Sequence, residues 1–309
     1  MKFLDTIKAK VWLIIYAPIY RCKYWLYRKE RKKYKILNSL ETISYITKNR
    51  CSVSRYGDGE LAMVYHYQNK GTTQNFWINS FQEYNPELGR RLTEILVSSP
   101  TNNHKIGIPY AIISTNEYIG LERCFHERFV SLDIKRFHTI LPQENSYLNA
   151  GFTRFYLYHR KIDFPAYISS LKKIWEQQDV IFIEGAHSRL GIGNDLFNNA
   201  KSIKRIICPA TNAFNKYKQI LHEVIKQSKD NLYLIALGHT ATILAYDLAH
   251  YGYWALDIGH VDIEYEWFLK NAKMKIPIKN KYVNEIKDGQ GISEISNPEY
   301  LSQIIVKIE

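Results

Sequence analysis

Two carboxylates one glycine apart, Asp58-Gly59-Glu60, sit in the run Arg55-Tyr56-Gly57-Asp58-Gly59-Glu60, directly after a strand expected to end at Arg55. The flanking glycines let the backbone approach a ligand, and two hard oxygen donors on one short turn can face a single cation. Such an Asp-x-Glu can hold Mg²⁺ or Mn²⁺ against a diphosphate. The same tripeptide also occurs as a plain turn; its place before the helix-like start Leu61-Ala62-Met63-Val64 favours the metal reading. A second concentration, Gly259-His260-Val261-Asp262-Ile263-Glu264-Tyr265-Glu266, gathers one imidazole and three carboxylates. These are borderline and hard ligands, and each carboxylate is also a candidate general base. If the segment turns helical at Asp262, then Asp262 and Glu266 share a face at i, i+4 while Glu264 points away. Some of these groups are expected to face solvent. His260 reads either as a metal ligand or as a core histidine held by backbone.

Gly238-His239-Thr240-Ala241-Thr242 opens an apolar helical run, so Thr240 is expected to cap a helix whose free amides attract phosphate. Ser188-Arg189-Leu190-Gly191-Ile192-Gly193-Asn194-Asp195 allows tight backbone turns beside one cation. Leu196-Phe197 stands where a dinucleotide fingerprint needs its third glycine, which disfavours a Rossmann dehydrogenase. Arg55, Arg154 and Arg189 each end or follow an expected strand, where a guanidinium grips phosphate oxygens bidentately or serves as a surface ion-pair partner. No G-x-S-x-G, G-x-x-x-x-G-K-[ST] or H-E-x-x-H occurs, so serine hydrolases, P-loop NTPases and zincins lack their mechanical parts.

These residues need a scaffold that brings their loops together. Near-continuous apolar runs at 180–183, 205–208, 232–237 and 253–258, about 20 residues of helical pattern apart, read as strands buried on both faces of a parallel sheet. Weaker strands are expected at 51–55, 105–108 and 152–155, with helices near 38–49, 80–99, 115–130 and 164–177. In an open α/β sheet ligands bind beyond the carboxyl ends of the strands, and the polar loops named above all follow strands.

The 309 residues carry 46% hydrophobic side chains, enough for a sizeable core, and no linker separates two cores. Four scattered cysteines and no secretory signal predict free thiols in a reducing cytoplasm. Of the +12 net charge, residues 1–35 hold +9, eleven Lys and Arg against Asp5 and Glu30. The apolar run within them, Val11 to Tyr20, is too short to span a bilayer. Mixed with Trp12, Tyr16, Tyr20, Tyr24, Trp25 and Tyr27, it reads as a membrane-interfacial helix on anionic lipid or as an aromatic helix capping the domain. A nucleic-acid arm is disfavoured, because no basic-aromatic surface continues it.

Four stretches together resemble the bacterial GT-D-fold glycosyltransferases: Arg55 to Glu60, Ser188 to Phe197, Thr240 to Leu248, and Asp257 to Trp267. The resemblance implies a Rossmann-like α/β domain, a mostly parallel sheet with helices on both faces, over residues 36–285. Residues 1–35 would then be a basic segment and 286–309 a C-terminal extension. It also implies a UDP-sugar donor, typically UDP-glucose, and Mn²⁺ or Mg²⁺ on Asp58 and Glu60. Where this family usually has Gly-Pro-Thr, the chain has Gly238-His239-Thr240. The expected site comprises Asp58, Glu60 and His260 at the metal, and Arg55, Gly57, Arg154, Arg189, Asn194, Asp195, Gly238, His239 and Thr240 on the nucleotide sugar. Asp262, Glu264 and Glu266 are the candidates for the base. The expected reaction moves a hexose to a hydroxyl of a glycan acceptor, lipid-linked at the cytoplasmic membrane face. The rival readings are a metal-dependent phosphohydrolase of nucleotide diphosphates and a noncatalytic membrane scaffold.

Overall fold

Strands buried on both faces sort their side chains by parity, and that alternation sets the layers here. Val180 and Phe182 join a core with Leu171, Trp175 and Leu256, while Ile181 and Ile183 point the other way, toward Ile220, Val224 and Leu244. The computed structural model describes residues 2–70, 81–99, 101–157, 159–160, 162–283, 286 and 297–309. Its helices are α1 (Lys2–Leu26), α2 (Arg28–Arg31), α3 (Ser39–Asn49), α4 (Asp58–Gln68), α5 (Pro86–Leu96), α6 (Gly120–Ile140), α7 (Phe164–Lys172), α8 (Tyr217–Ile225), α9 (His239–His250), α10 (Val261–Leu269) and α11 (Pro298–Gln303). The strands are β1 (Lys35–Ile36), β2 (Ser52–Arg55), β3 (His104–Ile108), β4 (Ser146–Asn149), β5 (Asp179–Gly185), β6 (Ser202–Cys208), β7 (Leu232–Ala236), β8 (Trp254–Asp257) and β9 (Ile304–Lys307).

They form one sheet in the order β1-β4-β3-β2-β8-β7-β5-β6-β9, and every described pairing between strands is parallel. The first half of the chain fills one side and the second half the other. They meet where Val53 of β2 pairs with Leu256 of β8, so the loops after these two strands emerge side by side. That seam is the switch point at which such sheets bind ligands.

Two expectations are corrected by the structure. The strand expected over 152–155 lies earlier, because the Asn149 side chain accepts the Gly151 amide at 2.8 Å and turns residues 150–153 into a 3₁₀ helix. The helix expected from 115 starts at Gly120, whose φ of +56° excludes it from a helix begun earlier, and runs on to Ile140. Within the C-terminal stretch 286–309, residues Ile304–Lys307 add the edge strand β9, paired with β6. Of the helix expected at 80–99, residue 80 lies outside the described residues and α5 covers 86–96.

The aromatic side of α1 packs on α6: Tyr20 and Tyr24 are buried, the Tyr24 hydroxyl donates to the Ala111 carbonyl at 2.8 Å, and the Ser131 hydroxyl donates to the Tyr20 carbonyl at 3.0 Å. Arg31 stacks its guanidinium 3.5 Å from the Tyr24 ring and donates to the Ile113 carbonyl at 2.8 Å. No described helix is long and apolar enough to cross a membrane. All four cysteines are free.

A buried ion pair ties the far side of the sheet together. Arg205 of β6 meets Glu184 of β5 at 2.5 Å, and it also donates to the Leu190 carbonyl at 2.9 Å and to Gln303 of α11 at 2.7 Å. The other Glu184 oxygen accepts the Leu190 amide at 2.7 Å, so one pair shapes the 185–195 loop and holds the C-terminal elements. Removing one partner leaves the other charge buried and unpaired. Arg205→Met is therefore expected to lower unfolding free energy by about 3–5 kcal/mol, read by urea denaturation; a loss below about 1 kcal/mol, the range of an exposed pair, would show that the clamp contributes little.

Candidate active site

β2 ends at Arg55, and the turn that follows brings the acidic pair to the seam. Gly57 donates its amide to Glu60 Oε2 at 2.8 Å, which orients that carboxylate across the first turn of α4. The other Glu60 oxygen lies 3.7 Å from His239 Nε2. Asp58 is exposed at this mouth, yet the packing around its carboxyl raises its pKa above the ordinary range, with the negative charge of Glu60 adding to the effect. Among the described residues no lysine or arginine pairs with either carboxylate.

From the other side of the seam comes α9. Its N-cap Gly238 has φ +55°, and a Cβ there would stand 2.5 Å from the Phe81 ring, so only glycine fits this entry to the helix. The helix begins at His239 rather than beyond Thr240. The expected Thr240 cap is therefore absent, and Thr240 sits inside the first turn, fully buried, its hydroxyl without a hydrogen-bond partner. His239 is also buried. Its Nε2 stands 3.0 Å from where a Gly59 Cβ would be, and its Nδ1 has no partner.

Arg55 reaches the Thr153 hydroxyl after β4 and lies against Gly259, whose φ is +48° and whose Cβ, if present, would meet Arg55 Nη1 at 2.7 Å. Its Nε is buried without a partner. Burial pushes the guanidinium pKa down and the charge of nearby Asp257 opposes that. Asp257, at the end of β8, accepts the Gly259 amide at 3.1 Å and stands 3.4 Å from the Thr242 hydroxyl. Thr242 in turn donates to the Arg55 carbonyl at 2.9 Å, binding α9, β2 and β8 together. Arg154 lies between two groups of the second motif, 3.3 Å from His260 Nδ1 and 3.5 Å from Glu264 Oε1.

The second motif forms α10, and Asp262 and Glu266 do share one face. The expectation that some of its acids face solvent is corrected, since Asp262, Glu264 and Glu266 are all buried. Lys281 lies 2.6 Å from Asp262 and 3.0 Å from Glu266, and the Asn194 amide bonds to both at 2.8 Å. The Gly191 amide adds a further bond to Asp262 at 3.0 Å. Glu264, on another face, accepts the amides of Tyr156 and Leu157 at 3.1 and 3.2 Å. Nothing in this arrangement leaves Asp262 or Glu266 as an open base. The Lys281 ammonium pairs with both instead.

The expected nucleotide residues divide accordingly. Arg55, Gly57, Arg154, Gly238, His239 and Thr240 belong to the loops that meet at the seam. Arg189, buried at φ +51°, donates to the Asn280 carbonyl at 3.0 Å, and Asn194 is bound to α10. Asp195 turns to Lys172 at 3.0 Å and to the Tyr265 hydroxyl at 2.6 Å. His260 does not complete a metal cage with Asp58 and Glu60: among the described residues no three His, Cys, Asp or Glu side chains are gathered as one would need. The chemistry still fits a hard cation, because Mg²⁺-like ions commonly use one or two carboxylates and take the rest of their shell from phosphates and water. Thr153, Thr242, Asp257 and Lys281 were not singled out from sequence. Asp257 alone carried a signal, an acid ending an apolar strand before glycine.

Over 298 residues, 93% of this chain and 40% of the other, the sequence is 34% identical to a Streptococcus gordonii protein named probable glycosyl transferase Gly. It is 33% identical over 269 residues, 87% of this chain and 32% of the other, to glycosyltransferase GlyD of Streptococcus pneumoniae serotype 4. The chain thus spans well under half the length of these relatives. One solved structure, described as a highly conserved domain of unknown function 1792 with a distinct glycosyltransferase fold, superposes with a TM-score of 0.84 at 34% identity, covering 93% of this chain and all of that one. A second, a new glycosyltransferase (DUF1792) from Streptococcus sanguinis, gives 0.81 at 32% identity over 89% of this chain and all of the other. Residues 53–286 match the family described as Glycosyltransferase GT-D fold, and the chain belongs to that family.

Proposed function

We propose that this protein moves a hexose, glucose by the family resemblance, from a UDP-sugar to a glycan hydroxyl in cell-surface polysaccharide or glycoprotein synthesis, with Mn²⁺ or Mg²⁺ as cofactor. The observation that carries the reading is the acidic pair Asp58 and Glu60, set at the sheet seam with no lysine or arginine partner among the described residues. These two carboxylates would hold the cation, which when bound neutralises charge growing on the leaving diphosphate. Arg55 and the opening amides of α9 supply positive potential to the same diphosphate. His239 and Thr240 bring buried polar atoms still lacking a partner, which a bound donor can satisfy. Glu264 acts as a positioning group by holding Arg154, while Asp262, Glu266 and Lys281 keep α10 and the 191–194 loop in place. The acceptor is lipid-linked and met at the cytoplasmic face of the membrane, a reading supported by the +9 charge of residues 1–35.

Asp58→Asn and Glu60→Gln are each expected to abolish Mn²⁺-dependent UDP binding in calorimetry while the melting temperature hardly moves. Binding like the parent's in either variant would remove the pair from the metal site.

Glu264→Gln should weaken UDP binding about tenfold, the scale of a lost hydrogen bond to a charged group. Lys281→Met should instead cost about 3–5 kcal/mol of stability, because two buried carboxylates lose their cation. If Glu264→Gln leaves UDP affinity intact, Arg154 does not serve the donor.

Burial pushes Asp257 up to about 7, against the lowering effect of Arg55 and with Glu60 adding to the rise. Between about pH 4, the ordinary aspartate value, and 7 the folded protein keeps a proton that the unfolded chain has released, so stability falls as pH rises through this window and levels off above it. Asp257→Asn cannot titrate. The stability of the parent relative to this variant should decline from about pH 5 to 7 in parallel denaturation series; a difference that is flat with pH would place the Asp257 pKa in the ordinary range.

A further inference from the structure

One face of α1 is packed on α6, and the opposite face is apolar and open. Val11, Ile15, Pro18, Cys22 and Leu26 recur at i, i+4, i+7, i+11 and i+15, with Ile14, Ile19 and Trp25 beside them, which is one continuous stripe on a helix. Every one of these residues is exposed, Ile14 at 58%, Ile15 at 63% and Trp25 at 58% of their full surface. An exposed apolar patch of this length marks a surface that meets something else.

Its borders say what that is. At helical spacing Arg21 and Lys23 fall on the two edges of the stripe, and Arg28, Lys29, Lys32 and Lys33 continue the exposed positive charge past its end. Beside the stripe a groove of about 520 Å³ lies between α1 and α6, lined by Ile14, Ala17, Arg21, Ile119, Arg123 and Arg160. Arg21 and Arg123 share one buried carboxylate, Glu127, at 3.3 and 2.9 Å, and Arg160 is exposed. Three guanidiniums against one carboxylate, with an apolar wall, fit a phosphate that carries hydrocarbon. A protein partner would have to cover the stripe with apolar groups and the borders with acids; an anionic bilayer presents both at the required depths.

We propose that α1 docks on an anionic lipid bilayer, with the Val11 to Leu26 stripe among the acyl chains and lipid phosphates held in the α1–α6 groove by Arg21, Arg123 and Arg160. The geometry gives this a use that rests on the proposed transfer to a membrane-bound acceptor. Tyr24 and Arg31 fasten the end of α1 to Ala111, Ile112 and Ile113, the residues just past the carboxyl end of β3. The active-site loops follow the carboxyl ends of β2 and β8 on that same edge of the sheet.

Removing α1 whole would strip Tyr20 and Tyr24 from the core and take from Arg31 the ring it stacks on, so the test uses exposed positions in the full chain. The parent should cosediment with phosphatidylglycerol vesicles at low salt, much less at high salt, and poorly with phosphatidylcholine vesicles. The Ile15→Gln/Ile19→Gln double variant should lose at least about tenfold in partitioning and Arg160→Gln about fivefold, the scale of one interfacial cation. Circular dichroism and the sedimentation coefficient should be unchanged in both. No binding by the parent, equal binding to neutral lipid, or double-variant binding equal to the parent's would overturn the proposal. So would a parent dimer that the double variant dissociates, since a second copy would then cover the stripe. Calorimetry with UDP and Mn²⁺ on the same samples separates the two readings: vesicle binding without nucleotide binding would sink the donor assignment and leave the docking surface standing.

Discussion

Charge buried at the carboxyl edge of a parallel sheet has to be neutralised on the spot, because an unpaired ion there costs several kcal/mol. The shape of this protein's cleft follows from how that is done. Glu184 has Arg205, Asp262 and Glu266 share Lys281, Glu264 has Arg154, and Asp257 stands in the field of Arg55. Each pairing joins segments distant in the chain, so neutralisation also fixes the loops. Set against these, Asp58 and Glu60 are the exception among the described residues. Asp58, raised toward protonation by its packing and by Glu60 beside it, stands with that second acid at the meeting point of both halves of the sheet, a concentration of negative charge without a lysine or arginine partner among the described residues.

How much of the fold the sequence disclosed depended on how local its cause was. β5, β6, β7 and β8 were legible because a strand covered on both faces has to be apolar at every position. β4 was displaced in the reading because Phe152-Thr153-Arg154-Phe155 looks more strand-like than Ser146-Tyr147-Leu148-Asn149, and a single side-chain bond from Asn149 decides the matter. β9 has no local reason to be a strand beyond Ile304-Ile305-Val306. It exists because β6 offers an open edge and Arg205 reaches Gln303.

The site divides in the same way. The i, i+4 relation of Asp262 and Glu266 was readable, and α10 realises it. Their burial was not, because the neutralising Lys281 comes from a loop that no spacing rule links to them. Thr240 fails as a cap for a conformational reason: Gly238 at φ +55° starts the helix two residues earlier than a threonine cap requires. What sequence did supply was the set of strand-ending loops, and the parallel topology brings those loops to one edge.

The N-terminal helix caps the domain with one face and leaves the opposite face open. Capping the domain and lying at an interface use different faces, and α1 has enough turns to offer both. Tyr20 and Tyr24 meet α6 and the loop after β3, while the Ile15 side is left to the exterior. The packed face also sets a direction. Because Arg31 and Tyr24 bond carbonyls just beyond β3, any surface that α1 contacts is held in fixed relation to the edge where Asp58 and His239 stand. A flexible tether would set only a distance; a helix fastened by buried hydrogen bonds sets an orientation as well.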